Sequence, residues 1–392
     1  MKRREFLIGS AVGAAALAAP GIVRAQTPLR IGFITTLTGP GGYLGADIRD
    51  AFQLYLDQNN GRMGNTPVQL VVEDDALRPG QGKTIAERML RTDGIRLFTG
   101  IVFSNVLGAV APDVLDGGGI YVSPNAGPSN FAGRECHRNF FAVAWQNDSL
   151  HESAGRSATE LGYTRAFITS PNYQAGQDAL NGFKRMFRGT IAGEQFTRLD
   201  QTDYAAEMAA IRAANPDVVF QFHPGGLGIA FLRQYQQAGL LGRIPMVVAA
   251  PSMDHTIMTS VGEAALGINL TTHWNVDFDN PGSRAFVQAF RARHNRMPTF
   301  YAGQAWDTAL AIAAALRQTN GNVTDTNAFR TAMLRADFQS IRGPFRFGPN
   351  QFPIQDWWAA QVVRGEGGAL EIRTGRKVLE NHGDVYAAQC RI

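Results

Sequence analysis

The chain has 392 residues, more than a single hydrophobic core usually serves, so two domains are the first expectation. Hydrophobic residues make up 45% of it and aromatic residues 10%, which excludes a disordered protein and indicates a well-packed globular one. The net charge of +4 falls to about +1 without the N-terminal leader, and no Lys/Arg-rich tract with interleaved aromatic residues follows. We therefore expect no nucleic acid as a partner.

The first 25 residues are predicted to be an export signal. The run Lys2-Arg3-Arg4-Glu5-Phe6-Leu7 places paired arginines before an apolar stretch, and small residues around Ala25 mark a cleavage point. Adjacent arginines in this position resemble the twin-arginine type of signal. The apolar stretch, residues 6–19, is shorter than the ~20 residues that cross a bilayer as a helix, although a retained membrane anchor is the alternative. The sequence therefore predicts a mature chain in the periplasm.

Short β-rich runs and helical segments alternate along the mature chain. In the first half, strands are predicted over residues 29–34, 68–73, 96–102 and 120–123, and helices over 45–59, 79–91 and 107–115. After Trp145 the alternation begins again, with strands over 165–169, 193–197, 217–222 and 245–249, and helices over 149–161, 176–187, 204–214, 227–238, 283–294 and 301–318. The pattern predicts an α/β protein of two doubly wound lobes with parallel sheets.

The two cysteines, Cys136 and Cys390, lie in the middle of the chain and near its C-terminus. An even number of cysteines in an exported protein favours a disulfide that would attach the tail to the body. Two free, buried thiols are the alternative.

No catalytic or metal-binding constellation is evident. His151-Glu152 begins like a zinc-protease motif, but Gly155 stands where the second histidine would be. There is no Gly-x-Ser-x-Gly elbow, and the glycine-rich stretch 39–45 lacks both the dinucleotide spacing and a Walker lysine. We expect neither an enzyme nor a bound cofactor or metal.

Two loops at predicted strand ends carry residues suited to binding an anion. Ser104 follows the strand 96–102, and Asn125 and Gly127 follow the strand 120–123. Ligands of open α/β sheets bind outside the carboxyl ends of the strands, where helix N-termini offer free backbone N–H groups. These loops are candidates for holding a carboxylate, and simple capping of the following helix by Ser104 is the alternative.

Eight short segments, in order, carry a resemblance to a known family. They are Thr36-Leu37-Thr38-Gly39-Pro40, Glu73-Asp74-Asp75, Gly100-Ile101-Val102-Phe103-Ser104, Ser123-Pro124-Asn125-Ala126, Tyr173-Gln174-Ala175-Gly176, Gly262-Glu263-Ala264-Ala265-Leu266-Gly267, Tyr301-Ala302-Gly303-Gln304-Ala305-Trp306-Asp307 and Arg342-Gly343-Pro344-Phe345-Arg346-Phe347. Over essentially the whole mature chain, the sequence resembles the leucine/isoleucine/valine-binding family of periplasmic solute receptors, which serve ABC importers.

The resemblance implies a type I periplasmic binding protein fold, with two Rossmann-like lobes joined by three hinge strands. It implies a first lobe over residues 27–146 and 277–350 and a second over 147–276 and 351–392. The hinge crossings are expected near residues 145–147, 275–277 and 351–356. By the same resemblance, Ser104, Asn125 and Gly127 hold the ligand carboxylate, Tyr173 closes over the ligand, and Tyr43 or Leu44 stands in the first loop.

One departure from the family concerns the ligand. Amino-acid receptors usually anchor the ammonium group with an acidic residue in the second lobe, where this chain reads Pro251-Ser252-Met253-Asp254. Several ring side chains are expected at the cleft, with the core of a lobe as the alternative: Phe103, Trp145, Tyr173, Phe222 and His223. Met253 is also predicted to belong to the site. A buried ammonium without a partner is costly, so an aromatic or aliphatic carboxylate is favoured slightly over an apolar amino acid.

The resemblance also implies partners. A monomeric receptor would capture a small carboxylate and deliver it to an ABC permease in the inner membrane. A ligand-sensing receptor of the same fold, feeding a signalling protein rather than a permease, is the alternative.

Overall fold

The computed structural model describes residues 27–392, so the predicted export signal lies outside the described residues. In the first half of the chain the elements are β1 (Leu29–Thr35), α1 (Gly42–Gln58), β2 (Arg62–Met63), β3 (Thr66–Asp74), α2 (Pro79–Arg91), β4 (Leu97–Thr99), α3 (Ser104–Asp116), β5 (Ile120–Ser123), α4 (Ser129–Ala132), β6 (Phe140–Ala142), α5 (Asn147–Glu160), β7 (Arg165–Pro171), α6 (Gln174–Met186) and β8 (Thr190–Thr197). In the second half they are α7 (Ala205–Ala214), β9 (Val218–Gln221), α8 (Gly226–Gln237), β10 (Val247–Ala249), α9 (His255–Val261), β11 (Asn269–Thr272), α10 (Pro281–His294), α11 (Phe300–Thr319), α12 (Thr326–Leu334), β12 (Arg346–Phe347), β13 (Pro353–Arg364) and β14 (Leu370–His382).

The first lobe is built on a six-stranded sheet in the order β2-β3-β1-β4-β5-β6. All its pairings are parallel except the short antiparallel pairing of β2 with β3. The four residues of β5 are all buried, as expected for a central parallel strand covered on both faces. Strand order reverses between β1 and β4, so the loops after these two strands diverge and leave a crevice at their carboxyl ends.

The second lobe repeats this plan. Parallel pairings join β8, β7 and β9, a single parallel bridge from Val219 to Met246 links β9 to β10, and β10 pairs with β11. The sheet then continues with two long antiparallel strands, β13 on β11 and β14 on β13. The sequence did not predict these last strands.

The chain passes between the two sheets three times. It leaves β6 and enters α5, which packs on α6 of the second lobe. It returns after β11 to α10, which packs on α1 of the first lobe. It crosses again between β12 and β13 and ends in the second lobe. The limits predicted for the lobes, 27–146 with 277–350 and 147–276 with 351–392, stay our proposal for the domain boundaries.

One difference from the predicted elements bears directly on the site. The helix expected to start at residue 107 begins at Ser104, so Ser104 lies in its first turn and Phe103 is its N-cap. The free N–H groups of that first turn therefore lie at the carboxyl end of β4, at the crevice.

The predicted disulfide is confirmed, since Cys136 is bonded to Cys390 across 254 residues of sequence. Replacing both cysteines by serine is expected to lower the free energy of unfolding by about 2–4 kcal/mol, because the unfolded chain loses a long covalent loop. Urea unfolding measures the change. A reductant should destabilise the native protein by a similar amount and leave the double variant unaffected; equal stability of the two proteins would contradict the prediction.

Within residues 27–392, no helix is both long and apolar enough to span a bilayer.

Candidate functional site

The carboxyl ends of the two sheets face each other across a narrow cavity with about 20 Å³ of free space. Its walls come from the segments that follow β4, β5, β6, β7, β9 and β10, with contributions from α5 and α11. The lining residues are Val102, Phe103, Ser104, Asn125, Ala126, Trp145, Asn147, Leu150, His151, Tyr173, Ala175, Phe222, Pro224, Pro251 and Tyr301. A cavity at the reversal of strand order in both sheets is where α/β proteins of this topology hold small ligands.

Asn147 organises the polar side of the cavity. Its amide Nδ2 donates to Ser104 Oγ at 3.2 Å and to Asp178 Oδ2 at 3.0 Å, and all three side chains are buried. Since Ser104 Oγ accepts from Asn147, its hydroxyl hydrogen is available for an oxygen atom of a ligand. Ser104 thus combines a hydroxyl donor with the N-terminus of α3 at one point of the cavity.

Asn125 lines the cavity, and its side chain is also hydrogen-bonded within the protein. Its Nδ2 donates to the carbonyl oxygen of Val102 at 2.5 Å, and its Oδ1 accepts from Gln304 Nε2 at 2.5 Å. The side chain therefore joins the loop after β4 to the loop after β5 and to α11. These two bonds use one of its two amide hydrogens and one of its two acceptor sites.

Gly127 allows the loop after β5 to lie against the first hinge crossing. A Cβ at this position would be 2.1 Å from the carbonyl oxygen of Trp145, so no larger residue fits without moving backbone. The glycine N–H donates to Asn147 Oδ1 at 3.3 Å, and its carbonyl accepts from Asn147 N at 2.8 Å. Gly127 thereby fixes Asn147, which in turn holds Ser104.

Aromatic rings form the remaining walls. Tyr173, the N-cap of α6, stacks on Phe222 with 6.3 Å between ring centroids and lies 6.3 Å from Phe103 of the opposite lobe. Burial raises the pKa of the Tyr173 hydroxyl, so the ring is neutral. Trp145 packs against Phe300, and Tyr301 from α11 completes the wall.

Further hydrogen bonds join the lobes around the cavity. Tyr43 at the start of α1 donates through its hydroxyl to Asp254 Oδ2 at 2.8 Å, and Ser129 Oγ donates to Asp178 Oδ1 at 2.7 Å. The backbone N–H of Gly226 donates to the carbonyl of Pro40 at 2.9 Å. The two lobes are therefore in contact along the mouth of the cavity.

Sequence comparison identifies the family. A family model described as periplasmic binding protein matches residues 28–369 of the chain. The chain belongs to the periplasmic binding protein family. The leucine/isoleucine/valine type predicted from its motifs is confirmed, as is the two-lobed fold.

Relatives of the binding protein match it over nearly their whole length. A Leu/Ile/Val-binding protein homologue from Brucella melitensis is 25% identical over 365 residues, covering 89% of this chain and 92% of the relative. An ABC transporter substrate-binding protein from Sphaerobacter thermophilus is 29% identical, with a TM-score of 0.84 and coverage of 92% and 100%. A solute-binding protein from R. palustris, solved in complex with benzoate, is 24% identical, with a TM-score of 0.87 and coverage of 93% and 100%.

Of the nine residues predicted for the site of the binding protein, five line the cavity and one supports its wall. Phe103, Ser104, Asn125, Trp145 and Tyr173 line it, and Gly127 supports it from behind. Tyr43 lies outside the cavity, in the contact with Asp254.

His223 and Met253 lie elsewhere, and their prediction as cleft residues is corrected. The His223 ring stacks on Phe231 inside the second lobe and contacts Gln221 Oε1 at 2.9 Å and Thr197 Oγ1 at 3.1 Å. Met253 is 1% exposed and belongs to the same core. Both residues follow strands that end at the cavity, but their side chains turn away from it.

Three lining residues with polar side chains were absent from the predicted site. From the sequence, Asn147 is part of a hinge crossing, His151 belongs to an incomplete zinc motif, and Tyr301 begins a helix and one of the family segments. Asn147 and His151 are four residues apart at the start of α5, so they lie on the same face of that helix. Helical spacing beside a predicted crossing was the one signal that pointed to them.

The residues that line the cavity include no aspartate, glutamate, lysine or arginine. Asp254, which stands near the position of the family's acidic anchor, does not line the cavity: Oδ2 accepts from Tyr43, and Oδ1 accepts from the N–H of Ile257 as the cap of α9. Nor do residues 27–392 contain a cluster of three or more His, Cys, Asp or Glu side chains arranged to hold a metal ion.

Proposed function

We propose that this protein is the extracytoplasmic receptor of an ABC importer and that it captures an aromatic carboxylate between its lobes without converting it. In this proposal the chain is exported to the periplasm and delivers its ligand as a monomer to a permease of the inner membrane. Membership of the periplasmic binding protein family supports receptor activity rather than catalysis.

The observation that carries the proposed ligand class is the composition of the cavity wall. Six aromatic rings line it, those of Phe103, Trp145, Tyr173, Phe222 and Tyr301 and the imidazole of His151. No acidic residue lines it. The ammonium group of an amino acid would be buried there without a counter-charge, at a cost of several kcal/mol. A planar apolar ring, by contrast, is well matched to such walls.

The carboxylate of the ligand is assigned to the N-terminus of α3. Ser104 Oγ–H and the free N–H groups of the first helical turn supply donors, and the helix dipole adds about 0.3–1 kcal/mol. Several charge-assisted hydrogen bonds together with buried ring area reach the roughly −8 kcal/mol of micromolar affinity.

Two relatives support different ligands. The R. palustris protein holds benzoate, whereas the Brucella relative is described as a Leu/Ile/Val-binding protein homologue. The absence of an acidic group from this chain's cavity wall favours the benzoate type.

A ligand screen tests the proposal. Benzoate and substituted benzoates, leucine, isoleucine, valine and fatty carboxylates are compared by thermal shift and then by titration calorimetry. We expect benzoate-type acids to raise the melting temperature and the amino acids to leave it unchanged. Tight binding of leucine, without binding of aromatic acids, would overturn the proposed ligand class.

The contribution of Ser104 is tested by substitution. Ser104→Ala is expected to weaken binding of the aromatic acid by about 1–3 kcal/mol, because one charge-assisted hydrogen bond to the carboxylate is lost. Titration calorimetry measures the affinity, with Ser260→Ala on α9, outside the cavity, as the matched control. Unchanged affinity would reduce Ser104 to a residue of the first helical turn without a binding role.

Binding is proposed to close the lobes, and the contact between Tyr43 and Asp254 then forms only in the closed state. Ligand bound first to Ser104 shifts the population towards closure because Tyr173 and Phe222 of the second lobe contact it only then.

The Asp254 contact predicts a pH dependence. Burial raises the pKa of Asp254 to about 7 in the closed state, whereas a solvated aspartate titrates near 3.9. The closed state therefore favours the protonated acid. The stabilisation of the closed state relative to the open state is complete below about pH 4 and is lost as the pH rises through 7. We expect affinity to fall by up to about 100-fold between pH 5 and pH 8, and Asp254→Asn to flatten this dependence. Affinity that rises over this range would contradict the closure scheme.

A further inference from the structure

Among residues 27–392, His151 is the one side chain lining the cavity that has a buried polar atom without a hydrogen-bond partner. The residue is 1% exposed, and its Nε2 has no hydrogen-bond partner among the described residues. Its other ring nitrogen, Nδ1, lies 2.7 Å from the carbonyl oxygen of Asn147. An unpaired buried polar atom costs about 1–3 kcal/mol, so such an atom beside a ligand cavity points to the ligand as its partner.

The hydrogen bond at Nδ1 determines what Nε2 can do. A carbonyl oxygen only accepts, so Nδ1 carries the hydrogen atom of the neutral imidazole and Nε2 presents a lone pair. Burial lowers the pKa of His151 to about 4, so the ring is neutral at pH 7. Nε2 is therefore a hydrogen-bond acceptor.

The ring cannot easily exchange its two nitrogens. Its centroid lies 4.7 Å from that of Phe222 and 5.8 Å from that of Phe220, both in edge-to-face arrangements. A flip would also break the bond to Asn147, the residue that holds Ser104. The acceptor is thus fixed in direction by the same residue that organises the carboxylate side.

We infer that the ligand carries a hydroxyl group that donates to His151 Nε2, so that the receptor selects a hydroxylated aromatic carboxylate over the unsubstituted acid. This inference rests on the proposed function and adds a second polar group to its ligand. A carboxylate at this nitrogen would face a lone pair, whereas a phenolic or alcoholic O–H would satisfy it. Sites built to bind a hydroxyl discriminate strongly against the analogue without it, because the buried protein atom is then left unpaired.

The test compares three ligand types on the native protein. Calorimetry with benzoate, the 2-, 3- and 4-hydroxybenzoates and the corresponding methoxybenzoates separates hydrogen-bond donation from added size. We expect one hydroxybenzoate to bind about 10- to 100-fold more tightly than benzoate, and its methoxy analogue to lose that advantage.

Variants assign the effect to His151. His151→Phe keeps an aromatic ring but removes the acceptor, so whatever its affinity for benzoate, it should bind the hydroxybenzoate no more tightly than benzoate. His151→Gln retains an acceptor and should keep part of the preference, while His294→Phe on α10, away from the cavity, serves as the control and should keep all of it. Circular dichroism verifies folding, and the ligand series on the native protein tests the inference even if a variant fails to fold.

Each outcome is decisive. Equal binding of benzoate and every hydroxybenzoate by the native protein would overturn the hydroxyl assignment and leave the proposed function standing. A preference that persists in His151→Phe would overturn the role of His151. Uptake of a proton at pH 7 on binding benzoate, measured in buffers of different ionisation enthalpy, would show that the carboxylate charges His151 instead. Failure of every aromatic acid to bind would overturn the proposed function itself.

Discussion

Asp307→Asn is expected to lower the free energy of unfolding by about 3–5 kcal/mol, the cost of leaving a buried charge without its partner. Arg342 Nε donates to Asp307 Oδ2 at 2.7 Å, and the two side chains are 3% and 0% exposed. The substitution keeps the size of the side chain but removes the negative charge, so Arg342 remains buried and uncompensated.

The position of Arg342 adds a second consequence. Its Nη1 donates to the carbonyl oxygen of Ala144 at 2.9 Å and to Gln355 Oε1 at 2.8 Å, which lie at the first and third hinge crossings. Gln355 Nε2 donates to the same carbonyl at 2.9 Å. Loss of the ion pair therefore weakens the contacts that Arg342 makes with both the first and the third hinge crossing.

Chemical unfolding measures the loss of stability in Asp307→Asn. Two further variants test whether the loss comes from an unpaired buried charge. Glu263→Gln removes the partner of Arg364 in an exposed ion pair of the same 2.7 Å length, where a change of no more than about 1 kcal/mol is expected. The double variant Asp307→Leu with Arg342→Met removes both charges and should recover much of the lost stability. Similar losses of stability for Asp307→Asn and Glu263→Gln would mean that burial of the ion pair does not determine the cost of removing one partner.

Tyr173→Ala is expected to weaken ligand binding by about 2–4 kcal/mol, roughly 30- to 1000-fold, as for other aromatic residues at the centre of a desolvated site. The ring touches both walls, because it stacks on Phe222 of its own lobe and approaches Phe103 of the other. Its loss would remove a wall of the cavity and the main apolar contact that the second lobe offers the ligand.

Calorimetry with the ligand from the screen tests this prediction. Tyr173→Phe retains the ring and should lose at most about tenfold, since only a hydroxyl is removed. Tyr163→Ala truncates a partly exposed tyrosine of the second lobe that is outside the cavity wall and serves as the control. Native affinity of Tyr173→Ala would show that the ligand lies elsewhere.

The alternation of strands and helices was enough to predict the fold, and in places the limits of its elements. Residues 79–91 and 120–123 were predicted as they occur in α2 and β5, since Pro79 starts the helix and a short, mostly apolar run forms the strand. The antiparallel strands β13 and β14 were missed because they alternate buried and exposed residues irregularly, with register shifts between Gln355 and Ala360.

The site was predicted less completely because side-chain direction at a strand end depends on a single residue of register. Phe222 and His223 are consecutive, and successive residues of an extended chain point to opposite faces. Phe222 lines the cavity, whereas the His223 ring stacks on Phe231 in the core of the second lobe. Sequence spacing identifies the loop but not which of two neighbours reaches the ligand.

The bridge from Cys136 to Cys390 has a mechanical consequence. Cys136 precedes β6 of the first sheet, while Cys390 follows β14 of the second, so the bond makes a fourth covalent link between the halves of the molecule. The tail is also tied to the second half, where the Tyr386 hydroxyl donates to Asp148. Any rotation of one lobe relative to the other must therefore have its axis close to this disulfide. The bond permits such a rotation but prevents the lobes from separating or translating past one another.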